Sequence, residues 1–258
     1  MKDNFRIWIC SLFIVGIAQV QATAQGPPVF TETPIMLGLE GRGIRTFGKF
    51  TNTDNGNTYA HIIAFPYNIN EKFQVGAVIP LVWKSPVGLD SRGGLGDLTL
   101  FLKQQVFKKD GRGKTLRALL KTTLTMPTGN TDQAPPLGTG AWQGGLGLVT
   151  GYITTALGLY AETGYRYKTN DLPGQFYYNL AASVPLLPQQ YPPHQINLSV
   201  DLNGSVNTRN GNHVLLLSPA LQWITGRKLL LESGVQVPLR GAPQTNFVLL
   251  AGLRVLIF

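Results

Sequence analysis

The sequence predicts an all-β protein, a transmembrane antiparallel up-and-down β-barrel of about twelve strands. Three observations carry the prediction. From Ile35 to Phe258, apolar residues recur at every second position in runs of roughly 10–13 residues, so each run has one oily and one wet face. Charged residues make up only 14% of the 258 residues, beside 30 glycines and 10% aromatics, where a soluble domain carries about 25% charge. The chain also opens on an export signal. An oily strand face must meet either a protein core or lipid, and a charge-poor exported chain fits lipid.

The elements follow in order. Residues 1–24 read as a secretory signal peptide: Lys2 and Arg6 precede the apolar run Ile7 to Val20, and Ala22-Thr23-Ala24 supplies the cleavage pattern. That run falls short of the roughly 20 residues a spanning helix needs. Cys10, the one cysteine, lies inside it, so a processed chain offers no disulfide, thiolate nucleophile or cysteine metal site. No later apolar stretch reaches about 18 residues, which excludes helical spans. Residues 25–34 are polar, proline-bearing and aperiodic. They form a linker that either hangs in the periplasm or enters the lumen as a plug. The barrel takes residues 35–258.

Strands are predicted at 35–47, 59–68, 73–83, 94–107, 115–126, 142–153, 155–167, 175–187, 195–205, 212–224, 229–239 and 246–258. An even number returns both ends to the periplasm. Short connections at 68–72, 154 and 225–228 alternate with longer ones at 48–58, 84–93 and 127–141, the asymmetry between periplasmic turns and outer loops. Two periplasmic connections, 108–114 and 188–194, are longer than this pattern expects.

Alternation sets the phase. In the ninth strand Ile196, Leu198, Val200 and Leu202 oppose Asn197, Ser199, Asp201 and Asn203. The fifth sets Leu116, Ala118, Leu120 and Leu124 against Arg117, Lys121 and Thr123, and the seventh sets Leu159 and Tyr165 against Tyr160, Glu162 and Arg166. A Lys or Arg on the lipid face near the midplane costs roughly 2–4 kcal/mol, so the charged face points inward. The glycine-rich first strand puts Glu40 and Arg42 inward only if Leu37 and Leu39 face out. In the last strand, Phe247, Leu249, Ala251, Leu253, Val255 and Ile257 form the lipid face with Arg254 inward. Phe258 then serves as a terminal aromatic assembly signal for the barrel-insertion machinery. Pro219, in the middle of the tenth strand, has no explanation in the pattern.

Gly93-Gly94-Leu95-Gly96-Asp97-Leu98-Thr99-Leu100 and Leu124-Thr125-Met126-Pro127-Thr128-Gly129, together with the strand end Ile79-Pro80-Leu81, resemble the outer-membrane family named for the meta-pathway of phenol degradation. The resemblance spans roughly residues 35–258 in segment order. It implies a twelve-stranded outer-membrane barrel that passes small, often hydrophobic or aromatic, compounds.

The inward set comprises Arg42, Lys103, Arg117, Lys121, Arg166 and Arg254 against Glu40, Asp97, Glu162, Asp201 and Glu232, a net charge of +1. Two arrangements fit it: cross-strand ion pairs that fill the lumen, or a pore lined by both signs with weak ion selectivity. Twelve strands lie between the filled barrels of about eight and the open ones of sixteen or more. Asp97, among glycines, caps a rim turn, pairs with an inward Arg or meets a ligand. Tyr160 points inward, within reach of an aromatic solute. Aromatics such as Tyr59, Trp83, Trp142, Tyr167 and Trp223 gather near strand ends as interface girdles.

Other functions are disfavoured. The net charge of +9 falls to +8 without Lys2, Arg6 and Asp3, and five of those charges sit in two periplasmic turns (Lys108, Lys109, Arg112 and Lys114 around Asp110; Arg227 and Lys228), away from nucleic acid. Outer-membrane phospholipase A uses Asn-His-x-Ser; here Asn212-His213 is followed by Val214 and Leu215, so that nucleophile is missing. No His/carboxylate metal spacing occurs, and no cofactor is implied. The expected partners are outer-membrane lipids, the barrel-assembly machinery and a small-molecule solute. A plugged barrel with a structural or assembly role is the alternative to passage.

Overall fold

Period-two strands with one apolar face are stable in lipid only when every backbone donor and acceptor is paired, which forces the sheet to close. The computed structural model shows that closure; it describes residues 27–37, 41–188, 194–226, 228–242 and 244–257. The strands are β1 (Arg42–Thr53), β2 (Gly56–Asn68), β3 (Phe73–Pro86), β4 (Arg92–Leu95), β5 (Thr99–Gly111), β6 (Lys114–Thr125), β7 (Gln143–Thr154), β8 (Gly158–Lys168), β9 (Gln175–Pro185), β10 (His194–Asn207), β11 (His213–Thr225), β12 (Leu229–Arg240) and β13 (Thr245–Ile257). Apart from β4 and β5, consecutive strands pair antiparallel, and β1 closes the barrel on β13 from Arg42↔Ile257 to Thr53↔Thr245. Because β3 pairs with both β4 and β5, those two pieces form one wall strand, and the barrel has twelve.

The wall is oily outside. Leu100 and Leu102 on β5, Leu120 and Leu124 on β6, Leu146 and Leu148 on β7, and Leu249 on β13 are exposed, while their sequence neighbours Lys103, Leu119, Val149 and Leu250 are buried. The last strand takes the predicted phase, with Arg254 inward on Glu232 and Ile257 exposed outside. Tyr59, Tyr67, Trp83, Trp142, Tyr152, Tyr167 and Trp223 are all exposed near strand ends, where amphipathic rings favour the interface. Tyr59 and Trp83 lie side by side with centroids 5.7 Å apart.

Several predicted boundaries are corrected. The first strand begins at Arg42 and runs on to Thr53, so residues 35–37 belong to the segment before the barrel. The long 48–58 connection is a tight turn at Asp54–Asn55. The 108–114 connection is likewise tight, at Arg112–Gly113, where Gly113 adopts φ +67°. Pro219 has a physical account. The β11–β12 ladder passes from Leu217↔Val237 directly to Ala220↔Gly234, so the missing N–H falls in an interruption of the pairing.

Candidate functional site in the barrel lumen

Residues 27–37 form no strand, yet Val29 is 2% exposed and Pro28 and Pro34 are fully buried. The segment lies inside the barrel and reaches the wall at many places around it. Phe30 and Val29 pack with Phe47, Ala220 and Leu250 into a small apolar cluster. The segment comes close enough to the wall to leave no room for a side chain at Gly151, where a Cβ would stand 2.8 Å from Pro34, and crowds Gly234, where one would stand 2.6 Å from the Phe30 ring and 2.8 Å from the Ala220 Cβ of the neighbouring strand.

Polar contacts fix the rest. The Thr31 backbone N–H donates to Asp201 Oδ2 at 2.7 Å. Arg45 donates to the Val29 carbonyl at 2.8 Å, and Arg254 to the Pro28 carbonyl at 3.3 Å. The same two arginines hold the buried Glu232 carboxylate, Arg45 at 2.7 Å and Arg254 at 2.8 Å. Glu32 places one carboxylate oxygen 2.9 Å from Lys103 Nζ and the other 3.0 Å from Lys121 Nζ. Burial would raise the Glu32 carboxyl, but the Lys103 and Lys121 ammoniums outweigh it and hold the group well below the usual carboxylate range.

Beyond Lys121 the network continues up the wall. Lys121 meets Glu162 at 3.4 Å, Glu162 accepts from Asn179, and Asn203 donates to Asn179 while accepting from Ser218 and Gln236. Arg166 donates to Gln175 and lies 5.3 Å over the Tyr177 ring. Two spaces remain. One, of about 290 Å³, lies between the segment and the β1–β6 wall, against Ile62, Val78, Phe101, Lys103 and Lys121. The other, of about 490 Å³, is lined by Lys49, Arg166, Tyr177, Ser205 and Val214, on the side of the segment away from Arg42 and Ile257.

The predicted lumen residues fall into three groups. Lys103, Lys121, Glu162, Asp201, Glu232 and Arg254 meet the segment or one another inside, and buried Tyr160 lies beside Gly151 and Pro34. Arg166 and Arg117 also face in, Arg117 near the β5–β6 turn, where it pairs with Asp110 at 3.3 Å. One placement differs from the prediction, and Asp97 takes the rim-turn role among those expected for it. Arg42 is exposed on the outer face, 5.7 Å over the Tyr67 ring, and Arg45 is the β1 arginine that reaches inside. Glycines left that strand without a readable alternation, and pairing with β2 and β13 sets its phase. Asp97 serves a loop: it accepts from the Gly129 N–H at 3.0 Å and the Thr139 N–H at 2.7 Å, pinning the connection between β6 and β7 across the break between β4 and β5. Glu40 and Phe258 lie outside the described residues. Sequence reasoning missed Arg45, Glu32 and Lys49. A charge on each side of a glycine run was the available signal for Arg45; Glu32, in an aperiodic segment, gave none.

The fold has known counterparts. An outer membrane channel from Pseudomonas putida F1 superposes with a TM-score of 0.68 at 15% identity, over 89% of this chain and all of that one. The beta domain of the Bordetella autotransporter BrkA gives 0.51 at 10% identity, over 84% of this chain and 99% of that one. Among curated proteins, none matches the chain significantly. One family model matches residues 48–247, from the middle of β1 into β13. By that match the chain belongs to the family described as "Putative MetA-pathway of phenol degradation".

Proposed function

We propose that the protein is an outer-membrane channel that passes small molecules, hydrophobic or aromatic ones among them, by passive diffusion, and that residues 27–37 close its lumen at rest. The observation that carries this reading is the attachment of the segment. It is held by ion pairs and single hydrogen bonds with Arg45, Asn68, Lys103, Lys121, Asp201 and Arg254 and by the small apolar cluster around Val29 and Phe30, and by no strand pairing. Such contacts can be released without opening the sheet. The two spaces that flank the segment are the ends of the path it interrupts. Membership of a family named for phenol degradation supports small aromatic solutes, and the barrel shared with the P. putida channel supports passage.

The test is single-channel recording in a planar bilayer under a salt gradient, on the full processed chain and on a chain lacking residues 25–34. The full chain should give small or rare steps. The shortened chain should give larger, steady steps with a mild anion preference, because removing Glu32 leaves Lys103 without its carboxylate. Silence from both chains, with the barrel inserted, would contradict passage and favour the structural role.

A further inference from the structure

We propose that Lys103 and Lys121, with the cavity beside them, form a binding site for small organic carboxylates, and that the chain's own Glu32 occupies this site at rest. The inference rests on reading the lumen as a passage, and it names the class of solute.

The two ammoniums stand on neighbouring strands at directly opposed positions, Lys103↔Lys121. Like charges so placed repel and are retained only where an anion bridges them. Here the bridge is a carboxylate that does not belong to the wall. Glu32 sits on the aperiodic segment and gives one oxygen to each lysine, at 2.9 and 3.0 Å. The wall itself supplies a weaker carboxylate, Glu162, to Lys121 at 3.4 Å. Lys103 otherwise faces the Phe101 ring at 5.2 Å. The wall residues therefore make a preformed anion receptor, and Glu32 is its tethered ligand.

The adjoining cavity sets the rest of the solute. Its volume of about 290 Å³ lies at the small end of ligand pockets, and Ile35, Leu37, Ile62, Val78 and Phe101 give it apolar walls. Arg45 and Arg254 also line it but are bridged by Glu232, so the positive charge open to a solute once Glu32 leaves is that of the two lysines. A one-ring or short-chain carboxylate matches this division, with its anionic head on the lysines and its body against Phe101 and Ile62. A solute that takes the lysines displaces Glu32 and weakens the hold of residues 27–37. Binding and opening are thereby coupled through the differential affinity of the two states.

Benzoate and its neutral counterpart benzamide are the probes, with binding followed by calorimetry on the detergent-solubilised barrel. Glu32→Gln should raise benzoate affinity by at least about tenfold, because a tethered carboxylate competes at a millimolar effective concentration. Benzamide affinity should stay unchanged. Adding Lys103→Gln and Lys121→Gln to Glu32→Gln should abolish the gain. Should Glu32→Gln fail to insert, as judged by the gel shift between heated and unheated barrel, the chain lacking residues 25–34 takes its place with the same expected gain. An unchanged benzoate affinity, or an equal gain for benzamide, overturns the site. Bilayer recordings on the same variants separate the two readings. Lysine-dependent benzoate binding in a barrel that never conducts leaves the site and removes the passage. Conductance that rises without any gain in benzoate affinity does the reverse.

Discussion

Replacing Glu232 by Gln isolates a buried carboxylate bridge in the lumen. The Glu232 side chain is fully buried, and its two oxygens meet Arg45 at 2.7 Å and Arg254 at 2.8 Å. Neutralising it leaves two guanidiniums facing each other in a space closed off by the barrel wall and the segment. Breaking a buried pair from one side costs about 3–5 kcal/mol. The arginine side chains are 27% and 19% exposed, and each keeps a backbone carbonyl, of Val29 and Pro28. Those features reduce the loss to about 2–4 kcal/mol, the upper part of the range being set by charge repulsion. The assay is urea unfolding of the vesicle-inserted barrel followed by tryptophan fluorescence, where the midpoint should fall at an unchanged slope. A loss below about 0.5 kcal/mol, the size of a solvent-exposed pair, would refute the burial of this carboxylate.

Three further outcomes follow from the same geometry. Gly151→Leu places a side chain where Pro34 of the segment lies 2.8 Å from a hypothetical Cβ; it should expel the segment and raise single-channel conductance while the barrel still inserts. Leu148→Arg on the exposed outer face of β7 should cost roughly 2–4 kcal/mol in the vesicle unfolding assay; no loss would mean that this face does not meet lipid. Acid should release the segment late. The Glu32 carboxyl is held below its ordinary range, so its contribution is fully present above the unfolded value and is lost only as pH falls through the lowered folded value. Recorded from neutral pH downward in a chain carrying Asp201→Asn, so that the other carboxylate holding the segment does not titrate, conductance should stay flat down to the usual carboxylate range and complete its rise below it, and a rise completed above that range would contradict the Glu32 bridge.

What the sequence made legible was whatever the lipid enforces. Ile196 to Asn203 and Leu116 to Thr123 could be read residue by residue, because a charge on the outer face is too costly to tolerate. The first strand was not legible for the converse reason. Gly41, Gly43 and Gly48 carry no side chain to mark a face, and the phase depends on β13 and β2, far along the chain. The two tight turns were signalled by Asp54-Asn55-Gly56 and by Gly111-Arg112-Gly113. Their charged and polar flanks were read as loop. The break between β4 and β5 has its cause in Asp97, whose partners Gly129 and Thr139 lie more than thirty residues away. The lumen was half legible. Alternation identified most of its wall, but not which carboxylate would meet Lys103, because an aperiodic segment carries no pattern that says where it docks.

The docking of residues 27–37 is the claim on which the rest depends, and cysteine labelling tests it most directly. In a chain with Cys10 removed, Val29→Cys lies at a position that is 2% exposed and Val87→Cys, in the loop between β3 and β4, at one that is 76% exposed. With a bulky maleimide on the folded barrel, Val87→Cys should react at nearly its rate in urea. Val29→Cys should be slower by about a hundredfold or more, a protection that reports local opening, and Glu32→Gln with Glu232→Gln should restore its rate. Equal, fast labelling at both positions in the folded barrel would place the segment outside the lumen and contradict the account.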